Sequence, residues 1–311
     1  MFDSVRIREI EKLLKKRGAK RVMVQVPEGL KVSVLKLIDK LNEKGYECLL
    51  CIEPSFGACD LADKEAKEMG CDVLLHIGHA IFMKKTALPV IYYEYFIEYD
   101  FIPILKRHMS MLSYKKIGLL TTVQFVKSLP KVKRFLETHG KEVFTGKNKH
   151  SGYEAQVLGC DFSAALAIKD KVDCFLFLGS GKFHPAGFSI NKPVFACDIE
   201  SGRVYDIGKE IKKEEIKRRL AIEKAKNAKY FAIYVSTKPG QHRLDVAMKI
   251  KRKLERLGKH AYIVVANTLT KEKIEGMGIE VIVNTACPRI REDSKALGKI
   301  ILNPEDIEKI A

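Results

Sequence analysis

The chain has 311 residues, 46% of them hydrophobic, which is enough for one large domain or two to three small ones. No apolar run reaches the length of a membrane span, and the opening segment MFDSVRIREIEKLLKKRG is charged and amphipathic rather than a signal peptide, so a cytoplasmic protein is expected. A net charge of +17 admits an acidic partner, and eight sparse cysteines in a reducing compartment point to metal ligands or nucleophiles rather than a disulfide framework.

Strands alternate with helices along the chain, which predicts parallel sheets joined by right-handed crossovers. RVMVQVP (21–27) opens a first unit as an apolar strand. VSVLKLIDKLNEKG (32–45) follows with helical period, placing Val32, Leu35, Leu37, Ile38 and Leu41 near one face, with Gly45 as a stop. ECLLCIE (47–53), a helix beginning near Cys59, and the strands DVLLHIG (72–78) and LPVIYYEY (88–95) complete it. The second unit repeats the order: KIGLLTT (116–122), the helix VKSLPKVKRFLETHG (126–140), KEVF (141–144), a helix from Cys160, DCFLFLG (173–179) and KPVFACD (192–198). In the third, YFAIYVS (230–236) leads to the helix LDVAMKIKRKLERLG (244–258) and the strand AYIVVAN (261–267). A short helix ending in GMG, then EVIVNTAC (280–287) and KIILNPE (299–305), close the chain.

The repetition is internal. EAKEMGCDVLLHIGHA and KIEGMGIEVIVNTACP share one helix–Met-Gly–strand grammar, and the third strands end at Gly78, Gly179 and Thr285, 101 and 106 residues apart. The expected fold is α/β: three repeated flavodoxin-like units with short parallel sheets, arranged around a pseudo-three-fold axis. The units are drawn as 1–107, 108–215 and 216–311.

In open α/β units ligands bind beyond the carboxyl ends of the strands. Cys59 and Cys160 follow the second strands of units one and two, where a helix N-terminus would favour a thiolate. Cys287 lies just past the third strand of unit three, so the three are equivalent only approximately. If the ends face inward, each unit gives one thiolate to a common point. Three thiolates suit a [4Fe–4S] cluster with one open iron, whereas structural zinc takes four ligands at short paired spacings. The spacing alone matches no local metal motif, and any single cysteine is more often packing. Cys48 and Cys51 form a CxxC inside a strand, where they face opposite sides; Cys71, Cys174 and Cys197 read as small core hydrophobes.

The segments around the three cysteines add a resemblance. PSFGACDLAD (54–63), YEAQVLGCD (153–161) and NTACPRI (284–290) resemble the cluster-ligand segments of the archaeal diphthamide synthase subunit. QVPEGL (25–30), HIGHA (76–80), LGSGKFHPAG (178–187) and STKPGQ (236–241) resemble other segments of that family, in order, from about residue 20 to the end. The resemblance implies an atypical radical S-adenosylmethionine enzyme, a homodimer whose [4Fe–4S] cluster is held by Cys59, Cys160 and Cys287. It implies transfer of a 3-amino-3-carboxypropyl group to carbon two of a histidine in translation elongation factor two, the first step of diphthamide biosynthesis. Cleavage of the bond between sulfur and the methionine γ-carbon would leave methylthioadenosine. An electron donor is required and is not identified by the sequence.

Further ligand contacts are expected at turns. Pro27, Glu28 and Gly29 follow a first strand, and Gly179, Ser180 and Gly181 could bring backbone N–H groups to a cofactor. His184 could orient substrate, His76 and His79 could line the cavity, and Arg289 could pair with the methionine carboxylate. No catalytic residue is singled out. Two other functions fit parts of the pattern. A quinolinate-synthase-like dehydratase would use the open iron as a Lewis acid. A basic RNA- or ribosome-binding module would use the lysine-rich helical runs at 209–220 and 249–260, although glutamates interrupt them and no RNA-recognition motif or tryptophan accompanies them.

Overall fold

The computed structural model describes residues 2–150, 152–188 and 190–310. Among the described residues thirteen strands form three sheets, each built around strongly apolar inner strands. The first sheet contains β1 (Arg21–Gln25), β2 (Glu47–Cys51), β3 (Val73–Ile77) and β4 (Val90–Tyr93) in the order β2-β1-β3-β4, all parallel. The second contains β5 (Lys116–Thr121), β6 (Glu142–Phe144), β7 (Cys174–Gly179), β8 (Val194–Asp198) and β9 (Arg203–Asp206) in the order β6-β5-β7-β8-β9, with only β9 antiparallel. The third contains β10 (Tyr230–Ser236), β11 (His260–Ala266), β12 (Val281–Asn284) and β13 (Ile300–Leu302) in the order β11-β10-β12-β13. One strand order thus recurs three times, as the repeated sequence grammar requires.

Each sheet is covered on both faces. Val22, Val24, Leu75 and Ile77 pack under the helices Ser4–Lys16 and Glu28–Asn42, while Met23 and Leu74 face Leu61 and Ala66 on the other side. The second sheet buries Leu119 and Leu176 on one face and Phe175 and Phe177 on the other; the third splits Phe231 and Ile233 from Tyr234 and Ile282. Burial on both faces explains why these strands read as continuous apolar runs rather than alternating ones.

Several local expectations shift. In the helix Glu28–Asn42 the buried stripe is Val34, Leu37, Ile38 and Leu41, an i, i+3, i+4, i+7 set; Val32 (96% exposed) and Leu35 (60%) lie off it. The helix Gly208–Lys226 runs unbroken through residue 215. Near 107 the chain is already committed to the second sheet: Phe101, Ile104 and Leu105 are fully buried in its core. The edge strand β9 has no counterpart in the predicted elements. Among the described residues no helix is long and apolar enough to cross a membrane.

Candidate metal centre

All the segments of interest leave the carboxyl ends of strands. The Cys59 turn follows β2, the Cys160 turn follows β6, and Cys287 stands three residues past the end of β12. Although 101 and 127 residues separate them in sequence, the thiols are near enough that Cys287 raises the pKa of Cys59, and both Cys287 and Cys59 raise that of Cys160. Three chain segments from three sheets thus converge on one place.

Cys59 and Cys160 do not open helices as expected. The helices begin later, at Asp63 and Ser163, and each is only a turn or so long, so no helix dipole depresses the thiols. Burial pushes all three up instead. Cys160 reaches about 12, first through burial and then through its two neighbours. Cys160 is itself exposed, yet protein crowds round the thiol on its inner side and displaces water that would stabilise a thiolate. Of the three thiols only Cys287 has a cation beside it, Arg289, which offsets part of the effect of burial without reversing it. A cluster with formally cationic iron supplies further positive charge, and thiolate sulfur is the donor such clusters take. The donor set therefore fits a cluster. Among the described residues no three His, Cys, Asp or Glu side chains are placed to share a single metal ion.

The Cys59 turn is gripped by the loop after β10. Gly240 donates its N–H to the Cys59 carbonyl at 2.9 Å, and Gln241 Nε2 donates to Cys59 Sγ at 3.3 Å. Next to it Lys238 forms an ion pair with Asp60, their side chains only 6% and 9% exposed. Burial raises the Asp60 pKa while Lys238 opposes the rise. On its other side Asp60 offers its carbonyl to Gln25 Nε2 at 2.8 Å. That fixes the Gln25 amide, whose Oε1 accepts from Ala62 N and faces His76 Nδ1 at 2.8 Å. His76 must donate there, so in its neutral form its Nε2 accepts from His79 Nδ1, 3.0 Å away. Burial holds His76 near pKa 3 and His79 near 4, keeping both rings neutral.

The remaining candidates divide. His184, also held near pKa 4 by burial, stacks on Phe177 and lies within electrostatic reach of Arg289 and His79. Arg289 is already occupied: Nη1 donates to Gly159 O at 3.2 Å and Nη2 to Phe183 O at 2.7 Å. Its guanidinium pairs with Glu292 and covers the Phe183 ring. It ties the Cys160 turn to the Cys287 turn. The Gly181 N–H is taken by Asp198 Oδ1 at 2.9 Å and the Ser180 hydroxyl by Glu200, while Gly179 packs against Phe177. Pro27 packs its ring under Gly78, Glu28 pairs with Lys31 at 2.7 Å, and Gly29 is exposed in the first helical turn. Asp60, Lys238 and Gln241 were absent from the expected set, though they sit in the CD dipeptide and the STKPGQ segment; a buried-pair partner 178 residues away leaves no periodic signal.

Of the other cysteines, Cys174 and Cys197 are fully buried, with thiols pushed up to about 12, and Cys48 and Cys51 pack into the cores on opposite faces of the first sheet. Cys71 lies partly buried beside the same core as Cys51.

The family model for diphthamide synthesis proteins matches residues 26–310. A 2-(3-amino-3-carboxypropyl)histidine synthase from Pyrococcus horikoshii is 38% identical over 99% of this chain and 90% of its own. Subunit 1 of the synthase from Gibberella zeae is 28% identical over 92% of this chain and 64% of its own. Among solved structures, Dph2 from Pyrococcus horikoshii, crystallised with a 4Fe–4S cluster, superposes with a TM-score of 0.90 at 36% identity, covering 100% of this chain and 91% of that one.

Proposed function

The chain belongs to the diphthamide synthesis protein family, and on that premise we propose that it is a 2-(3-amino-3-carboxypropyl)histidine synthase. It moves the 3-amino-3-carboxypropyl group of S-adenosylmethionine to carbon two of a histidine imidazole in translation elongation factor two, the first step of diphthamide biosynthesis. The observation that carries this reading is the convergence of Cys59, Cys160 and Cys287 from three separate sheets.

In this reading the three thiolates hold a [4Fe–4S] cluster, the group named for the Pyrococcus structure. When bound, such a cluster supplies one electron and an open iron site. The protein's own part is to gather three reluctant thiols, keep them in register and exclude water. The loop 237–241 holds the Cys59 turn, Arg289 ties the other two turns together, and the neutral His76, His79 and His184 add no charge to the recess. The three like-ordered sheets are read as flavodoxin-like units about a pseudo-three-fold axis, with the turns at Pro27–Gly29 and Gly179–Gly181 bordering the S-adenosylmethionine site. The working form is a homodimer supplied by a cellular electron donor.

Anaerobic purification of wild type and of Cys59→Ala, Cys160→Ala and Cys287→Ala, read by iron content and visible absorption, tests the ligand set. Transfer of label from carboxyl-labelled S-adenosylmethionine to elongation factor two, with methylthioadenosine as co-product, tests the reaction. Wild type should carry the cluster and transfer label, and each variant should lose both. Full clusters in all three variants, or 5′-deoxyadenosine as the product, overturn the assignment.

A further inference from the structure

Three ties from the loop after β10 fall on two consecutive residues, Cys59 and Asp60, and they differ in kind. The Gly240 N–H bond to the Cys59 carbonyl and the buried Lys238–Asp60 pair fix the backbone. Those two suffice to place the turn. The third, from Gln241 Nε2, reaches the sulfur itself at 3.3 Å. Gln241 is 7% exposed, and its own N–H is held by Lys238 O at 3.0 Å, so the amide is delivered to the sulfur by a loop with little freedom. Among the described residues Gln241 is the side chain that donates to any of the three sulfurs, so it is the donor a substitution can remove.

A primary amide can turn either end towards a neighbour: its oxygen to an S–H, its N–H to an anionic sulfur. The N–H end faces Cys59, which suits a sulfur that carries negative charge permanently, as a cluster ligand does. Reduction adds a further negative charge that spreads onto the ligand sulfurs, and an N–H dipole in a water-poor site favours the more negative state.

We propose that Gln241 tunes the reduction potential of the cluster, raising it through an N–H···S hydrogen bond to Cys59. This rests on Cys59 being a ligand. Gln241 would act through Cys59, as a tuning residue.

The test is redox titration of the anaerobically reconstituted full-length protein, wild type beside Gln241→Leu and Gln241→Glu, monitored by the signal of the reduced cluster and with iron measured on each sample. Leucine fills similar space without a donor; glutamate keeps the shape and sets a carboxylate oxygen beside the sulfur. Both should load iron, and loss of one charge-assisted bond should change the reduced-to-oxidised ratio by about tenfold. For a one-electron couple that is a midpoint about 59 mV more negative. Glutamate should move it at least as far as leucine. An unmoved or more positive midpoint at wild-type iron content overturns the inference and leaves Gln241 as loop packing only. Absence of iron from wild type overturns the ligand assignment itself, so the two failures are told apart by the iron measurement.

Discussion

Replacing Gly240 by alanine tests the grip of the third unit on the Cys59 turn. A Cβ built at 240 lies 2.6 Å from Cys59 Cα, 2.7 Å from its Cβ and 2.9 Å from its carbonyl oxygen. Carbon atoms in contact rest at roughly 3.5–4.0 Å, so the two loops must part by about 1 Å. None of the three atoms ends a flexible side chain, and the backbone itself has to yield. Gly240 lies outside the left-handed region, so alanine adds no conformational strain and the whole cost is steric. Overpacking of this kind costs about 1–3 kcal/mol. The displacement also falls on the residue proposed to hold iron, where about 1 Å matters for function. The expected result is a urea midpoint lowered by an amount equivalent to about 1–3 kcal/mol at unchanged slope, with iron per chain well below wild type. Gly29→Ala is the control: its Cβ meets nothing within 4 Å, and it stands in the first turn of the helix Glu28–Asn42. Alanine there should be neutral or stabilising by up to about 1 kcal/mol. A Gly240→Ala protein as stable and as iron-rich as wild type would refute the steric argument.

Lys238→Met leaves the Asp60 carboxylate buried without its partner and should cost about 3–5 kcal/mol near neutral pH. The loss should shrink in acid as Asp60 takes up a proton; a double variant with Asp60→Leu should recover much of it, and equal losses in single and double variants would count against a desolvated charge as the cause. His76 and His79, held near pKa 3 and 4 against about 6.5 in an unfolded chain, give a pH slope. The unfolded rings bind protons below about 6.5 while the folded rings resist until about 4, so this stability is complete above about 6.5 and declines as pH falls towards 4. Thermal midpoints at pH 7, 6 and 5 should step downwards, less steeply in His76→Asn, and a flat profile would show the rings are not desolvated. Arg289→Lys loses the planar fork that spans Gly159 O, Phe183 O and Glu292. Iron loading should drop while the KM for S-adenosylmethionine in the loaded fraction stays near wild type; a raised KM at full loading would instead make Arg289 a carboxylate ligand.

The alternation of strands and helices into parallel sheets was legible in the linear sequence, because it is local in kind. A strand buried on two faces must be apolar throughout, as Leu74–Leu75 and Phe175–Leu178 are, and helix 244–256 announces itself by period. Cys174 and Cys197 sit within such runs and turned out to be core, while Cys59, Cys160 and Cys287 fall beyond strand ends. What local pattern cannot express is which distant segments meet. The Lys238–Asp60 pair, the Gln241 bond to Cys59 and the Arg289 bridge to Gly159 join residues 130 to 182 apart. Protonation followed the same rule: a helix N-terminus promised low thiol pKa values for Cys59 and Cys160, but burial first, and then neighbouring cysteines, raise them. Sequence alone determined that each unit would offer one cysteine at a strand end, since strand length and hydrophobic pattern set where the turns fall. Only the tertiary structure decided that the three would meet as desolvated thiols, because charge, burial and hydrogen bonding depend on what packs around a group rather than on its neighbours in the chain.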